Sequence, residues 1–205
     1  MHHHELISYQ RFLLLLAVFV PVSSLLIYIA WRFDESVVYD GYLVENLQVA
    51  FLLLASFMHI KRCRPLYGAN QHNLELYIRI FLAFLCVAFA IRELDIKDFG
   101  DRLTWQPIEM SIRIVIGAGF LVYILFLLNK TPFFWRQKMV VFASPLFQLA
   151  FAGCLFYLLG WPFDKKVFES LSFAQSQMLE EILEFQATVF LLAAAWWPRS
   201  IIKKS

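Results

Sequence analysis

Charge is scarce in this chain. Only 17% of its 205 residues are Asp, Glu, Lys or Arg, while 60% are hydrophobic and 18% aromatic. Soluble domains carry about 25% charged residues, so a soluble globular fold is excluded. No segment is basic enough to bind nucleic acid. Cysteine is also rare: Cys63, Cys86 and Cys154 form no C-x-x-C pair, which removes a disulfide framework and a cysteine zinc cluster. Outside the N-terminal Met1-His2-His3-His4, where a chain end offers no fixed geometry for a metal, histidine is nearly absent. His59 alone lies in a predicted helix, so haem with paired axial ligands and a histidine-ligated zinc hydrolase are both disfavoured. A P-loop, a dinucleotide fingerprint and a G-x-S-x-G elbow are all missing. So are linkers, low-complexity tracts and clear internal repeats, and residues 1–205 read as one domain.

What the chain has is long apolar runs. About 20 apolar residues cross a hydrocarbon core about 30 Å thick. Six runs approach that length, at 12–31, 43–60, 76–91, 110–128, 139–163 and 179–197. They do not alternate polar and apolar residues as barrel strands do. The expected fold class is therefore all-α: a polytopic membrane protein, a bundle of six transmembrane helices. The first run is too long for a signal-peptide core and lacks a small-residue cleavage site, so it is expected to be retained. Pro21 interrupts it, with Ser23 and Ser24 close enough to satisfy a freed carbonyl.

Lys and Arg concentrate in cytoplasmic loops. With the N-terminus inside, Arg11, then Lys61, Arg62, Arg64 and Arg79, then Lys130, Arg136 and Lys138, then Arg199, Lys203 and Lys204 face the cytoplasm. The outer connections hold Arg32, Arg92, Lys97, Arg102, Arg113, Lys165 and Lys166. Acids do not set the rule, and of the sixteen all but Glu5 and Glu75 fall outside. The expected orientation is N-in/C-in. Ser172 and Gln175 have capping-box spacing, so the last helix is expected to begin before the membrane surface.

Ionisable groups within membrane helices are costly and mark functional sites by default. Helical spacing aligns Glu45, Gln48, Ser56 and His59 on the second helix, and Arg79, Ala83, Cys86, Ala90 and Glu93 on the third. It aligns Glu109, Arg113 and Gly117 on the fourth, Ser144, Gln148 and Ala152 on the fifth, and Glu181, Glu184 and Thr188 on the sixth. Each set is expected to face the bundle interior. Arg79 reads as a snorkelling end residue, His59 as a packing or interfacial residue, and Gln48 and Gln148 as interhelical hydrogen-bond formers. Glu109 and Arg113 read first as a local i,i+4 salt bridge. The candidate ligand-binding set is Glu45, Arg92, Glu93, Asp95, Arg113, Glu181 and Glu184, all at outer helix ends.

Asp40-Gly41-Tyr42-Leu43-Val44-Glu45-Asn46-Leu47 precedes one helix, and Ile91-Arg92-Glu93-Leu94-Asp95-Ile96 closes the next. Residues 38–98 resemble a group of uncharacterised bacterial multi-pass membrane proteins. That group pairs a D-G-x-x-E-type helix start with an E-E-I-S-W or R-E-L-D acidic segment. The resemblance implies a bacterial cytoplasmic (inner) membrane and site positions at Glu45, Arg92, Glu93 and Asp95, with no activity attached. Arg92 stands where the commoner form has an acid, which argues against a two-carboxylate metal site.

Three functions fit these residues. The first is an outward-facing acidic/Arg site for a cation or polar lipid headgroup, in a transporter-like or envelope-assembly component. The second is an enzyme acting on a membrane lipid or lipid-linked substrate, with a divalent cation such as Mg²⁺, Mn²⁺ or Ca²⁺ held by carboxylates and one carboxylate as general base. The third is a structural subunit. Membrane lipids are expected partners, with a second membrane protein or another copy of the chain as the remaining candidates.

Overall fold

The computed structural model describes residues 3–38, 43–66, 74–94, 102–168 and 170–197. Every regular element among them is helical: α1 (His3–Phe33), α2 (Leu43–Cys63), α3 (Leu74–Glu93), α4 (Arg102–Leu128), α5 (Thr131–Arg136), α6 (Lys138–Phe142), α7 (Pro145–Asp164) and α8 (Phe173–Trp196). Short 3₁₀ turns at Glu35–Val38 and Arg64–Leu66 follow α1 and α2. Asp34 caps the first of these by accepting the Ser36 N–H at 2.9 Å, and these hydrogen bonds to Ser36 hold its carboxyl below the usual range.

Five helices are long and apolar enough to cross a membrane: Tyr9–Phe33, Glu35–Cys63, Leu74–Glu93, Thr104–Leu128 and Pro145–Asp164. Their outward faces fit that setting. Leu14, Leu15 and Val18 on α1 and Val115, Leu121 and Val122 on α4 are all more than half exposed. So much uncovered hydrocarbon would be a liability in water and is the norm against lipid.

α8 forms the core of the bundle and packs on α1, α2 and α7. Side-chain pairs give the directions. Gln48 meets Glu181 and Arg62 meets the Trp196 carbonyl, so α2 and α8 run parallel. Tyr9 packs edge-on against Trp197, and Gln186 reaches Ser23 at 3.0 Å, so α1 runs antiparallel to α8. Ser176 donates to the Phe163 carbonyl at 2.8 Å, which sets α7 antiparallel to α8. Tyr123 donates to the Tyr77 carbonyl at 3.0 Å, joining the end of α4 to the start of α3. Long helices consecutive in the chain therefore alternate in direction, while α2 and α8 pack side by side in parallel. One end of the bundle collects Glu45, Glu93, Glu109, Glu181 and Glu184, and the other collects Arg62, Arg79, Lys130 and Lys138.

Three expectations need correction. Residues 139–163 do not form one helix. Pro145 pushes the preceding residue out of the helical region, and Ser144 is extended (ψ 136°), capping α7 by accepting the Phe147 N–H at 3.2 Å. Ser23 and Ser24 do not serve the carbonyl of Ala17 that Pro21 leaves without its helical donor. They donate one turn back, to Phe19 and Val20, at 2.8 Å each. Gly117 and Arg113 on α4 do not face the interior: a Cβ at Gly117 would meet nothing within 4 Å, and the Arg113 side chain is 42% exposed. α4 lies at the periphery, touching mainly α3.

The capping box at the start of α8 is complete. Ser172 N–H donates to Gln175 Oε1 at 3.0 Å, and Gln175 N–H to Ser172 Oγ at 3.2 Å. Ser172→Ala should cost about 1 kcal/mol of stability, as N-cap loss generally does. A thermal unfolding curve in mild detergent reads it, and an unchanged midpoint would mean α8 is held by packing alone.

Candidate functional site

Four helices bring their polar faces together at the acidic end. On α2, Glu45 and Gln48 are buried and one turn apart, Gln48 completely so. Gln48 Nε2 donates to Glu181 Oε2 at 2.7 Å, across to α8. Glu181 and Glu184 lie three residues apart on that helix and so share its face; both are buried, Glu184 to 1% exposure. Glu45 stands within electrostatic reach of both Glu181 and Glu93. The single-face expectation therefore describes α2, α3 and α8, where Arg79, Ala83, Cys86, Ala90 and Glu93 are likewise all buried.

Arg92, at the end of α3, ties these groups together. Its Nε donates to Glu93 Oε1 at 3.0 Å, and its Nη2 makes a short contact with Glu184 Oε1. Glu93 and Glu184 thus share one guanidinium. The guanidinium carbon lies 5.2 Å from the centre of the Tyr157 ring of α7, a favourable cation–π distance. The Tyr157 hydroxyl in turn meets Thr188 Oγ1 at 3.3 Å. Gly160 lies against this group, where a Cβ would meet Glu184 Cγ at 3.4 Å.

Arg113 sits at the edge of the group. It donates to Glu109 Oε1 at 2.8 Å and reaches the Arg92 carbonyl at 3.5 Å. Both residues line an open cavity of about 440 Å³ on α4, with Gln106, Met110 and Ile114. Thus Glu45, Arg92, Glu93, Glu181 and Glu184 form one connected group with Arg113 beside it. Asp95 lies outside the described residues, as do Asp40, Gly41 and Tyr42 of the motif before α2. Gln48 and Tyr157 are functional neighbours that the candidate set omits. Gln48 sits one turn from Glu45 on a polar stripe, whereas nothing near Tyr157 in the sequence points to Arg92.

A second polar cluster occupies the basic end. Arg79 does not snorkel: it is 1% exposed. Its Nε donates to Glu75 Oε1 at 2.8 Å and its Nη2 to the Trp197 carbonyl at 3.2 Å. The i,i+4 spacing of Glu75 and Arg79, on the same face as Ala83 and Cys86, was the available signal. His59 is fully buried near Arg79 and Arg62, and neither ring nitrogen has a hydrogen-bond partner among the described residues. Between the clusters the buried face of α2 is apolar: Val49, Leu52 and Ala55 separate Gln48 from Ser56. At 1.5 Å rise per residue this layer is about 12 Å thick.

Among the described residues no group of three or more His, Cys, Asp or Glu is arranged to hold a metal ion. No protein-family model matches the chain, and no curated protein and no solved structure matches it either, so the likeness seen in residues 38–98 assigns nothing further to these positions.

Proposed function

We propose that the protein binds the cationic part of a polar lipid headgroup at its acidic end. The observation that carries this reading is a charge imbalance in a buried place. Glu45, Glu93, Glu109, Glu181 and Glu184 are all at most 8% exposed, and among the described residues Arg92 pairs with Glu93 and Glu184 while Arg113 pairs with Glu109. Five carboxyl groups crowded in a buried place are costly to keep charged, and an ammonium group entering from the membrane surface offsets that cost. Such a headgroup also presents a phosphate, for which the half-exposed guanidiniums of Arg92 and Arg113 are suited. An ammonium suits this donor set better than a bare divalent cation, because Arg92 already pairs with both Glu93 and Glu184.

In this reading α8 is a sixth crossing. Its 24 residues span about 36 Å, and Glu180, Glu181 and Glu184 lie in the half nearest the acidic end. Both termini are then cytoplasmic and the acidic end faces outward, a reading the Lys and Arg distribution supports. The bacterial inner membrane rests on the resemblance of residues 38–98.

The test uses delipidated protein offered phosphatidylethanolamine, phosphatidylcholine or phosphatidylglycerol, with retention read by native mass spectrometry. Phosphatidylethanolamine should be retained over phosphatidylcholine, and Glu45→Gln and Glu181→Gln should each weaken its retention about tenfold, equivalent to ~1.4 kcal/mol, while leaving phosphatidylglycerol retention as in wild type. Equal retention of all three lipids would refute the site. Orientation is read separately: Lys165→Cys should react with a membrane-impermeant maleimide on intact cells and Lys138→Cys should not.

A further inference from the structure

The basic end contains a cavity that the acidic site does not use. It lies between α3, the end of α4, and α5 to α7, with a volume of about 260 Å³. Phe81, Leu127, Phe134, Val141, Phe151 and Cys154 form much of its wall. A second cavity of about 220 Å³ shares Phe134 and Val141 with the first and adds Trp135, Lys138 and Phe142. The two are therefore adjoining spaces, one apolar and one bearing a cation.

The chain around them is built for a membrane boundary. α5 and α6 are short helices of 6 and 5 residues, joined at Gln137 between the apolar lengths of α4 and α7. Trp135, Met139 and Phe142 on them are 67%, 74% and 58% exposed, as suits side chains resting in the interfacial layer. Lys130, Arg136 and Lys138 cluster here, and no acid occurs between Glu109 and Asp164. Among the described residues none of the three makes an ion pair. Lys138 Nζ lies 4.0 Å from the centre of the Trp135 ring, and Lys130 Nζ lies 5.7 Å from that of Phe126. Lys138 thus stands at the wall of the second cavity, and both lysines lie against aromatic rings as snorkelling side chains do.

We propose that these adjoining cavities form a site for an anionic phospholipid, with an acyl chain in the larger space and the phosphate against Lys138, Arg136 and Lys130. Charge complementarity selects an anionic lipid over a zwitterionic one, since among the described residues the three cations make no ion pair. A peptide is a poor occupant, because the larger cavity offers almost no partners for backbone N–H and C=O groups. The inference is independent of the acidic end and uses none of its residues.

The test is native mass spectrometry of the full chain with dioleoyl phosphatidylglycerol and dioleoyl phosphatidylcholine as competing probes. Wild type should retain phosphatidylglycerol preferentially, and each of Lys130→Gln, Arg136→Gln and Lys138→Gln should lower retention about fivefold. Cys154→Trp fills the apolar space without changing charge and should lower retention of the same lipid. If that variant does not fold, a phosphatidylglycerol with a photoreactive acyl chain replaces it. Adducts on Phe134, Phe147, Phe151 or Cys154 support the site, and adducts confined to the outer face of α4, at Val115 and Val122, overturn it. Retention that ignores the three charge changes, or a wild type that does not distinguish the two lipids, also overturns it.

Discussion

Glu75→Ala should lower the unfolding free energy in bicelles by about 3–5 kcal/mol, the usual cost of removing one partner from a buried ion pair. Arg79 is the reason. It is 1% exposed, its guanidinium is held by Glu75 and by the Trp197 carbonyl, and its Nη1 has no hydrogen-bond partner among the described residues. Without the carboxylate, a full positive charge stays inside the bundle next to fully buried His59. Coulomb attraction and desolvation both scale with burial, so this pair matters far more than Lys165–Asp164, whose side chains are 56% and 40% exposed. Two further variants separate the causes. Glu75→Gln keeps an acceptor for Arg79 and should lose less. The pair Glu75→Leu with Arg79→Leu removes both charges and should recover most of the loss. If Glu75→Ala stays within about 0.5 kcal/mol of wild type, a range typical of surface substitutions, then Arg79 escapes to water once released.

Gly153→Leu should prevent α7 and α8 from docking. A Cβ alone at this position would come within 2.9 Å of the Ala187 carbonyl oxygen and 2.9 Å of Leu191 Cγ. The Leu191 side chain can shift, but the carbonyl belongs to the α8 backbone and cannot move without the helix. Gly153→Ala should therefore cost about 1–3 kcal/mol by overpacking, and Leu more. Gly117 supplies the control: nothing lies within 4 Å of a Cβ there, so Gly117→Ala should gain about 0.5–1 kcal/mol from helix propensity. The two Gly→Ala changes thus differ in sign, and chemical denaturation in detergent reads both. Gly160→Ala falls between them, because its Cβ meets Glu184 Cγ at 3.4 Å. Helix separation at Gly153 should also weaken headgroup binding, since Tyr157 and Thr188 meet across the same interface. Equal effects of Gly153→Ala and Gly117→Ala would show that α7 and α8 are not packed as closely as described.

The sequence by itself determined the helical class, the apolar lengths and the faces of α2, α3 and α8. Hydrocarbon admits only helices whose polar groups share one side, so composition and a 3.6-residue period carry that information. Helix lengths were less legible: α1, α4 and α8 begin several residues before their apolar runs, because hydropathy marks what can enter lipid and not where backbone hydrogen bonding starts. The Ser144–Pro145 break inside the fifth run is a local backbone effect that hydropathy does not register. Tertiary structure alone decided the partners. Gln48 finds Glu181 and Arg92 finds Glu184 because α2, α3 and α8 pack at one level, a relation between residues about a hundred positions apart in the chain. It likewise put α4 at the edge, which left Arg113 half-exposed, and drew Arg79 inside, where Glu75 and the end of α8 hold it. Periodicity gives the direction a side chain takes from its own helix axis; which neighbour it meets depends on how the helices pack.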